Sequence, residues 1–361
     1  MTPPLDTILD TRLQNAIVGS KTPGAVLFAG HNDVPLYRNA FGHRRVTPHP
    51  LPMQATTIFD LASLTKVVAT APAISLLIDR GKIGLDDPVY KFLPAFRGGY
   101  KSQVTIRHIV THTGGIRALT ALLPGAPRKR TPNAVPRAIT KICELRLQSK
   151  PGTKFTYSDL GYILLAHLVE IVSGDPFDVF CQQHLFEPLG LSHTRFKPPR
   201  KWRDTIAATE WRNERMLCGA VHDPNAFALG GIAGHAGLFS NAPDLVRFCQ
   251  MILSGGKLDG VRILSERAVE LMTTNQCHVK GIQRGLGFDI DSPYSHPRGH
   301  FFSRSSFGHT GFTGTSLWMD PASGTHIILL TNRLHPDGTG DVRELRMEVA
   351  NILGKVICEQ T

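Results

Sequence analysis

Ser63 and Lys66 stand three residues apart in Ser63-Leu64-Thr65-Lys66. On a helix, side chains at that spacing share a face with Cβ atoms roughly 5–6 Å apart, so an ammonium reaches a hydroxyl unaided. The flanking Leu61-Ala62 and Val67-Val68-Ala69 are apolar, which places the pair at the start of a buried helix. Burying an ammonium is costly unless it is paired or its pKa falls. The expectation is a Lys66 with a lowered pKa beside Ser63, as an activated nucleophile requires. The helix N-terminus adds a field that favours an oxyanion forming at Ser63. Alone, the pattern is better read as an N-capping serine and a snorkelling lysine. Two further groups tip the balance toward chemistry: Tyr157-Ser158-Asp159, in a loop before a helical pattern starting near Leu160, and His309-Thr310-Gly311, on a strand near the C-terminus.

The elements that must bring these groups together follow from periodicity. Leu5 to Val18 has helical spacing and ends at Gly19; Ala25–Gly30 and Val34–Gly42, joined by a polar turn, read as a β-hairpin. Ser63 to Ile78 is an apolar helix stopped at Gly81. Helical patterns then dominate to about residue 280: Ile106–Thr111, Pro136–Leu147, Leu160–Val172, Pro176–Leu185, Ala242–Leu253 and Ser265–Met272. Strands return at Gly285–Ile290, Thr313–Met319 and His326–Thr331, and a helix over Val342–Ile357 closes the chain. The expected fold class is α/β (α+β), an antiparallel sheet flanked by helices. Its α/β lobe takes in about 1–85 and 285–361, with an inserted all-α lobe over about 86–284. A cleft between the lobes is where a ligand site belongs.

In order and spacing, Ser63-x-x-Lys66, Tyr157-x-Asp159 and His309-Thr310-Gly311 resemble the serine penicillin-recognising superfamily. The nearer branches are class C β-lactamases, D-alanyl-D-alanine carboxypeptidases, D-aminopeptidases and family VIII esterases. The likeness extends to Thr105–Gly115, Pro151–Gly161 and Gly237-Leu238-Phe239-Ser240. It implies a β-lactamase/transpeptidase-like single domain over 1–361, without cofactor or metal. Ser63 would attack a carbonyl, Lys66 would share its proton, and Tyr157 would act as base and then protonate the leaving group. A phenol does this near neutral pH only if cations stabilise the phenolate, a task for Lys66 and for a protonated His309. The backbone N–H groups of Ser63 and Phe312 would form the oxyanion hole, with Thr310 and Gly311 beside the substrate. Asp159 stands where β-lactamases more often carry Asn, and His309 where they carry Lys. Asp159 should favour a charged Lys66 and repel an anionic substrate group, and a histidine holds a carboxylate less reliably than a lysine. Both changes point away from efficient β-lactam hydrolysis and toward small esters or D-amino-acid amides. A class C-type β-lactamase is the alternative among enzymes, and a non-catalytic penicillin-binding module the alternative outside them.

His235, in Gly234-His235-Ala236-Gly237, and Asp223 are further candidates to line the cleft, against a plain tight loop. His108 and His112 have the spacing of a zinc pair, but the glutamate of H-E-x-x-H and a third ligand are missing. The six cysteines contain no C-x-x-C and read as small buried thiols. The net charge of +11 raises nucleic acid as a partner. Yet the densest cluster, Arg128-Lys129-Arg130, and the stretch from Arg195 to Arg203 lie among prolines without interleaved aromatics, so no nucleic-acid partner is expected. No apolar run approaches the ~18 residues of a membrane span. The chain shows no basic n-region followed by an apolar one, so the expected setting is cytoplasmic as written, or periplasmic or extracellular after loss of a leader. A monomer or weak homodimer is the expected state.

Overall fold

A computed structural model describes residues 3–123, 133–212 and 214–359; the Arg128-Lys129-Arg130 cluster lies outside them. Residues 24–52 and 283–331 make one sheet from strands β1 (Gly24–His31), β2 (Val34–Arg45), β3 (Leu51–Pro52), β4 (Gln283–Arg284), β5 (Asp289–Asp291), β6 (Phe307–Thr310), β7 (Ser316–Asp320) and β8 (Thr325–Thr331). Their order is β4-β5-β6-β7-β8-β1-β2-β3, and every pairing is antiparallel. The β1–β2 hairpin closes through Asn32 and Asp33, whose φ angles of 47° and 63° are those of a left-handed two-residue turn. Asn and Asp tolerate that region, and its twist matches the strands.

Both faces of this sheet are covered, which is why β1 and β8 read as continuous apolar runs rather than alternating ones. Ala25, Leu27, Ala29, Ile327 and Leu329 face the helices Leu5–Val18 and Arg343–Cys358, which contribute Leu9, Leu13, Leu345, Val349 and Leu353. Val26, Phe28, Ile328, Leu330, Leu317 and Met319 face the larger core, shared with helices Ala71–Asp79 and Ala242–Leu253. Among the described residues, the regular elements between the two sheet-forming regions are mostly helices, with a few short strands. Leu238–Ser240 pairs with Phe59–Asp60 and with Arg195–Phe196.

The single helix expected from Ser63 to Ile78 is divided. Ala62–Leu64 is a 3₁₀ turn, Lys66–Thr70 has π spacing, and Ala71–Asp79 is α-helical. Pro72 supplies the reason: it cannot donate to the carbonyl four residues back and its ring crowds that carbonyl, so the preceding turn widens. Ala62–Asp79 is long and apolar enough to cross a membrane by length and composition, and 83% of it is buried inside the protein.

Leu329, 1% exposed under the two terminal helices, tests this layering. Leu329→Ala should cost about 2–5 kcal/mol in urea unfolding.

Candidate active site

Ser63 follows a residue held in an unfavourable conformation. Ala62 has φ +46°, and its N–H is fixed by the Asp60 carboxylate at 2.9 Å. Such left-handed non-glycine residues persist only where their surroundings over-determine them. Here the surroundings are the third motif. Thr313 Oγ1 donates to the Asp60 carbonyl at 2.7 Å, and Thr315 Oγ1 donates to the Leu61 carbonyl at 3.0 Å. A Cβ on Gly311 would lie 2.4 Å from that same Leu61 carbonyl, so only glycine lets the end of β6 approach. Asp60, fully buried with its pKa raised by desolvation, also accepts the His222 N–H at 2.7 Å.

Lys66 is fully buried, and its ammonium meets three acceptors. Nζ donates to Ser63 Oγ at 3.0 Å and to the His235 carbonyl at 3.1 Å, and forms an ion pair with Asp159 Oδ1 at 2.7 Å. Two hydrogen bonds and one ion pair thus surround the ammonium. Burial is the largest single influence on Lys66 and lowers its pKa, but Asp159 and Tyr157 together outweigh it and hold the pKa above the ordinary lysine value. The lowered pKa expected from the sequence is therefore corrected: Lys66 is a cation at neutral pH, as the carboxylate at Asp159 would have it.

Tyr157 lies over this ammonium, 4.9 Å from Nζ to ring centroid, with Tyr162 at 5.6 Å on another side. Ser158 caps the helix Asp159–Ser173, accepting the Gly161 N–H at 3.2 Å and donating to the Arg117 carbonyl at 2.7 Å. That cap places Asp159 in the first helical turn, facing Lys66.

Ser63, Tyr157, His309, Thr310, Gly311 and Phe312 line one cavity of about 580 Å³, so the three motifs converge. The same wall carries Arg284, Arg333, Arg343 and Arg346, with Asp341 as its acid. Arg346 holds the Gly311 and Thr315 carbonyls at 3.0 and 2.9 Å, and burial brings its pKa down to about 10. Phe312 is 62% exposed, its ring between His222 at 5.7 Å and the Arg333 guanidinium at 4.7 Å.

Two of the site residues expected from the sequence, His235 and His309, behave otherwise than expected. His235 is 1% exposed and does not line the cavity: its Nε2 meets Asp223 Oδ1 at 2.7 Å, and its contribution to the site is the carbonyl that holds Lys66. Gly234 explains this position, because a Cβ there would lie 2.1 Å from the Tyr162 carbonyl. Asp159 is paired with Lys66, as expected. His309 is 6% exposed, and burial, aided by Arg284 and Lys66, pushes its pKa well below the ordinary imidazole value. It is neutral at pH 7, so the protonated His309 expected to steady a phenolate is corrected too. Its Nδ1 donates to the Thr310 carbonyl at 2.8 Å, which leaves Nε2 as an acceptor. Asp60, Arg284 and Arg346 were missed. No short motif marks them, since each acts through the packing of segments distant in sequence. His108 and His112 do separate work: His108 Nδ1 accepts the Thr105 N–H at 3.1 Å and closes the cap of helix Ile106–Val110.

The buried imidazoles set a pH dependence. His112 and His309 both have folded pKa values well below 6.5, with burial as the leading cause. Folding therefore loses stability as pH falls through 6.5, where the unfolded chain takes up protons that the native chain refuses. Melting temperature should fall from pH 7 to pH 5, and His309→Gln should make that fall smaller. An unchanged slope in the variant would remove His309 from the account.

The beta-lactamase family model matches residues 8–351. A protein of Escherichia coli K12 named "Putative D-alanyl-D-alanine carboxypeptidase" is 32% identical over 83% of this chain and 76% of its own. Among solved structures, EstCE1, described as a hydrolase with promiscuous acyltransferase activity, aligns with a TM-score of 0.79 at 22% identity, covering 97% of this chain and 98% of its own. A class C β-lactamase aligns at 0.77 and 19% identity, over 98% and 96% of the two chains. Together with the convergence of the three motifs on one cavity, these matches place the chain in the beta-lactamase family, within the superfamily of serine β-lactamase- and penicillin-binding-protein-type hydrolases.

Proposed function

We propose that the protein is an acyl-serine hydrolase that cleaves D-amino-acid amides or peptides whose leaving group carries a carboxylate. The observation that carries the chemistry is the Lys66 ammonium bound at once to Ser63, Asp159 and the His235 carbonyl, with Tyr157 above it. Because Lys66 keeps its proton, the base is Tyr157, whose phenolate the ammonium steadies. Ser63 Oγ forms a bond to the acyl carbon while its proton passes to Tyr157. The carbonyl electrons become an oxyanion held by the Ser63 and Phe312 N–H groups. Tyr157 then delivers the proton to the leaving nitrogen as the C–N bond breaks. Water attacks the acyl-enzyme by the same steps in reverse, Tyr157 taking its proton and returning it to Ser63.

The substrate class rests on charge. A neutral His309 recognises a carboxylate poorly, but the arginines on the cavity wall supply what the strand lacks. Guanidinium groups match carboxylate geometry. A second reading, hydrolysis of small esters, is favoured by the exposed aromatic rings of Phe312 and Tyr294, which suit an apolar acyl group. β-Lactams fit as slow substrates under either reading.

A fluorophosphonate should add to Ser63 in the native protein and not in Ser63→Ala, read by intact mass; no adduct on the native protein sinks the hydrolase. Arg343, exposed on the wall, separates the substrates. Arg343→Ala should lower kcat/KM for a D-Ala-D-Ala peptide about tenfold and leave a p-nitrophenyl ester within about twofold. Equal losses on both would remove the carboxylate argument.

A further inference from the structure

His112 takes no part in the chemistry above, yet the segment that carries Tyr157 converges on it. It is 2% exposed and sits at φ +61°, a left-handed conformation that a non-glycine side chain rarely adopts. Its carbonyl accepts the Thr156 N–H at 2.9 Å, and its Nδ1 accepts the Ser158 N–H at 3.0 Å. The residue between those two amides is Tyr157. The imidazole is also packed between two phenol rings, with centroids 4.4 Å from Tyr157 and 5.0 Å from Tyr162, and with Phe155 edge-on at 6.1 Å.

We propose that His112 is the positioning residue for Tyr157, gripping the backbone on both sides of it and stacking on its ring to fix where the phenol stands relative to Lys66 and Ser63. Two features argue that the chain retains His112 for the site rather than for stability. Nδ1 accepts an N–H, so the ring proton is on Nε2, and that donor is buried without a hydrogen-bond partner among the described residues. An orphaned buried donor and a left-handed backbone are both unfavourable. Burial, aided by the charges of Arg284 and Lys66, keeps the ring in the neutral form that can accept from Ser158. The left-handed turn is needed because a residue must present its carbonyl to Thr156 and its side chain to Ser158 at once, from the end of the short helix Ile106–Val110.

The proposal rests on the acyl-serine reading for its catalytic consequence but not for its geometry, and the experiment reads the two separately. His112→Ala removes the acceptor and the ring. His112→Asn keeps an acceptor at the Nδ1 position and tolerates a left-handed backbone, but lacks the ring. In hydrogen exchange followed by mass spectrometry, the amides of Thr156–Asp159 should lose protection in His112→Ala and recover most of it in His112→Asn. In turnover, His112→Ala should lower kcat about a hundredfold with KM within about threefold, the signature of a displaced catalytic group, and His112→Asn should recover at least tenfold of that loss. Should the alanine variant not fold, the asparagine variant alone decides, with near-native exchange and a kcat within about tenfold of native expected. Native-like protection over Thr156–Asp159 in His112→Ala, or an asparagine variant as impaired as the alanine one, overturns the proposal. A native protein that neither labels nor turns over overturns the hydrolase while the exchange arm still judges the clamp.

Discussion

The structure is organised around one charge that has no access to water. Lys66 sits at the end of a chain of close packings, and Asp159 is the group that makes its burial tolerable. Everything that holds Asp159, the His235 carbonyl and Ser63 in place is thereby tied to everything else. The Ser158 cap sets Asp159; the approach of Gly234 to the Tyr162 carbonyl sets His235; and the stitching of Thr313 and Thr315 to Asp60 and Leu61 sets Ser63. A charge with three acceptors in three different segments acts as a checkpoint for tertiary structure. Misplacing any one segment leaves a buried ion partly unpaired, which costs far more than a lost surface contact.

Charge is then divided in an unusual way. The strand position that holds a lysine in β-lactamases is a neutral histidine here, and the cations lining the same cavity are Arg284, Arg333, Arg343 and Arg346. Arg284 is fully buried, fixed by Asp289 at 3.0 Å and the Gly287 carbonyl at 2.9 Å, and its field helps keep both His309 and His112 neutral. The cavity lining thus carries four arginines and one acid, Asp341, which is ion-paired with Arg343.

Much of this was legible in the residues. The hairpin, the terminal helices and the three motifs could be read from periodicity and spacing, because each is a local pattern. What was not legible was tertiary. The apolar neighbours of Lys66 imply burial and a lowered pKa, and the resemblance sets Asp159 against that; only the 2.7 Å approach decides which prevails. His235 looked like a cleft residue because of its glycine-rich loop, but those glycines serve a close backbone approach that turns the ring inward. His112 was weighed as half of a metal pair, and its actual partners are amides 44 and 46 residues further on. Pro72 was visible, and its effect on the preceding turn was the one local consequence overlooked.

The sheet order has a consequence for how the protein comes into being. β8 is inserted between β7 and β1, so the hairpin made first on the ribosome keeps an open edge until residues 325–331 emerge. Ser63 is translated early, but Gly311, Thr313 and Thr315, which brace the strained turn before it, come some 250 residues later. The turn that carries Ser63 therefore lacks these braces until those residues are made, and takes its final shape only when the late strands close the sheet.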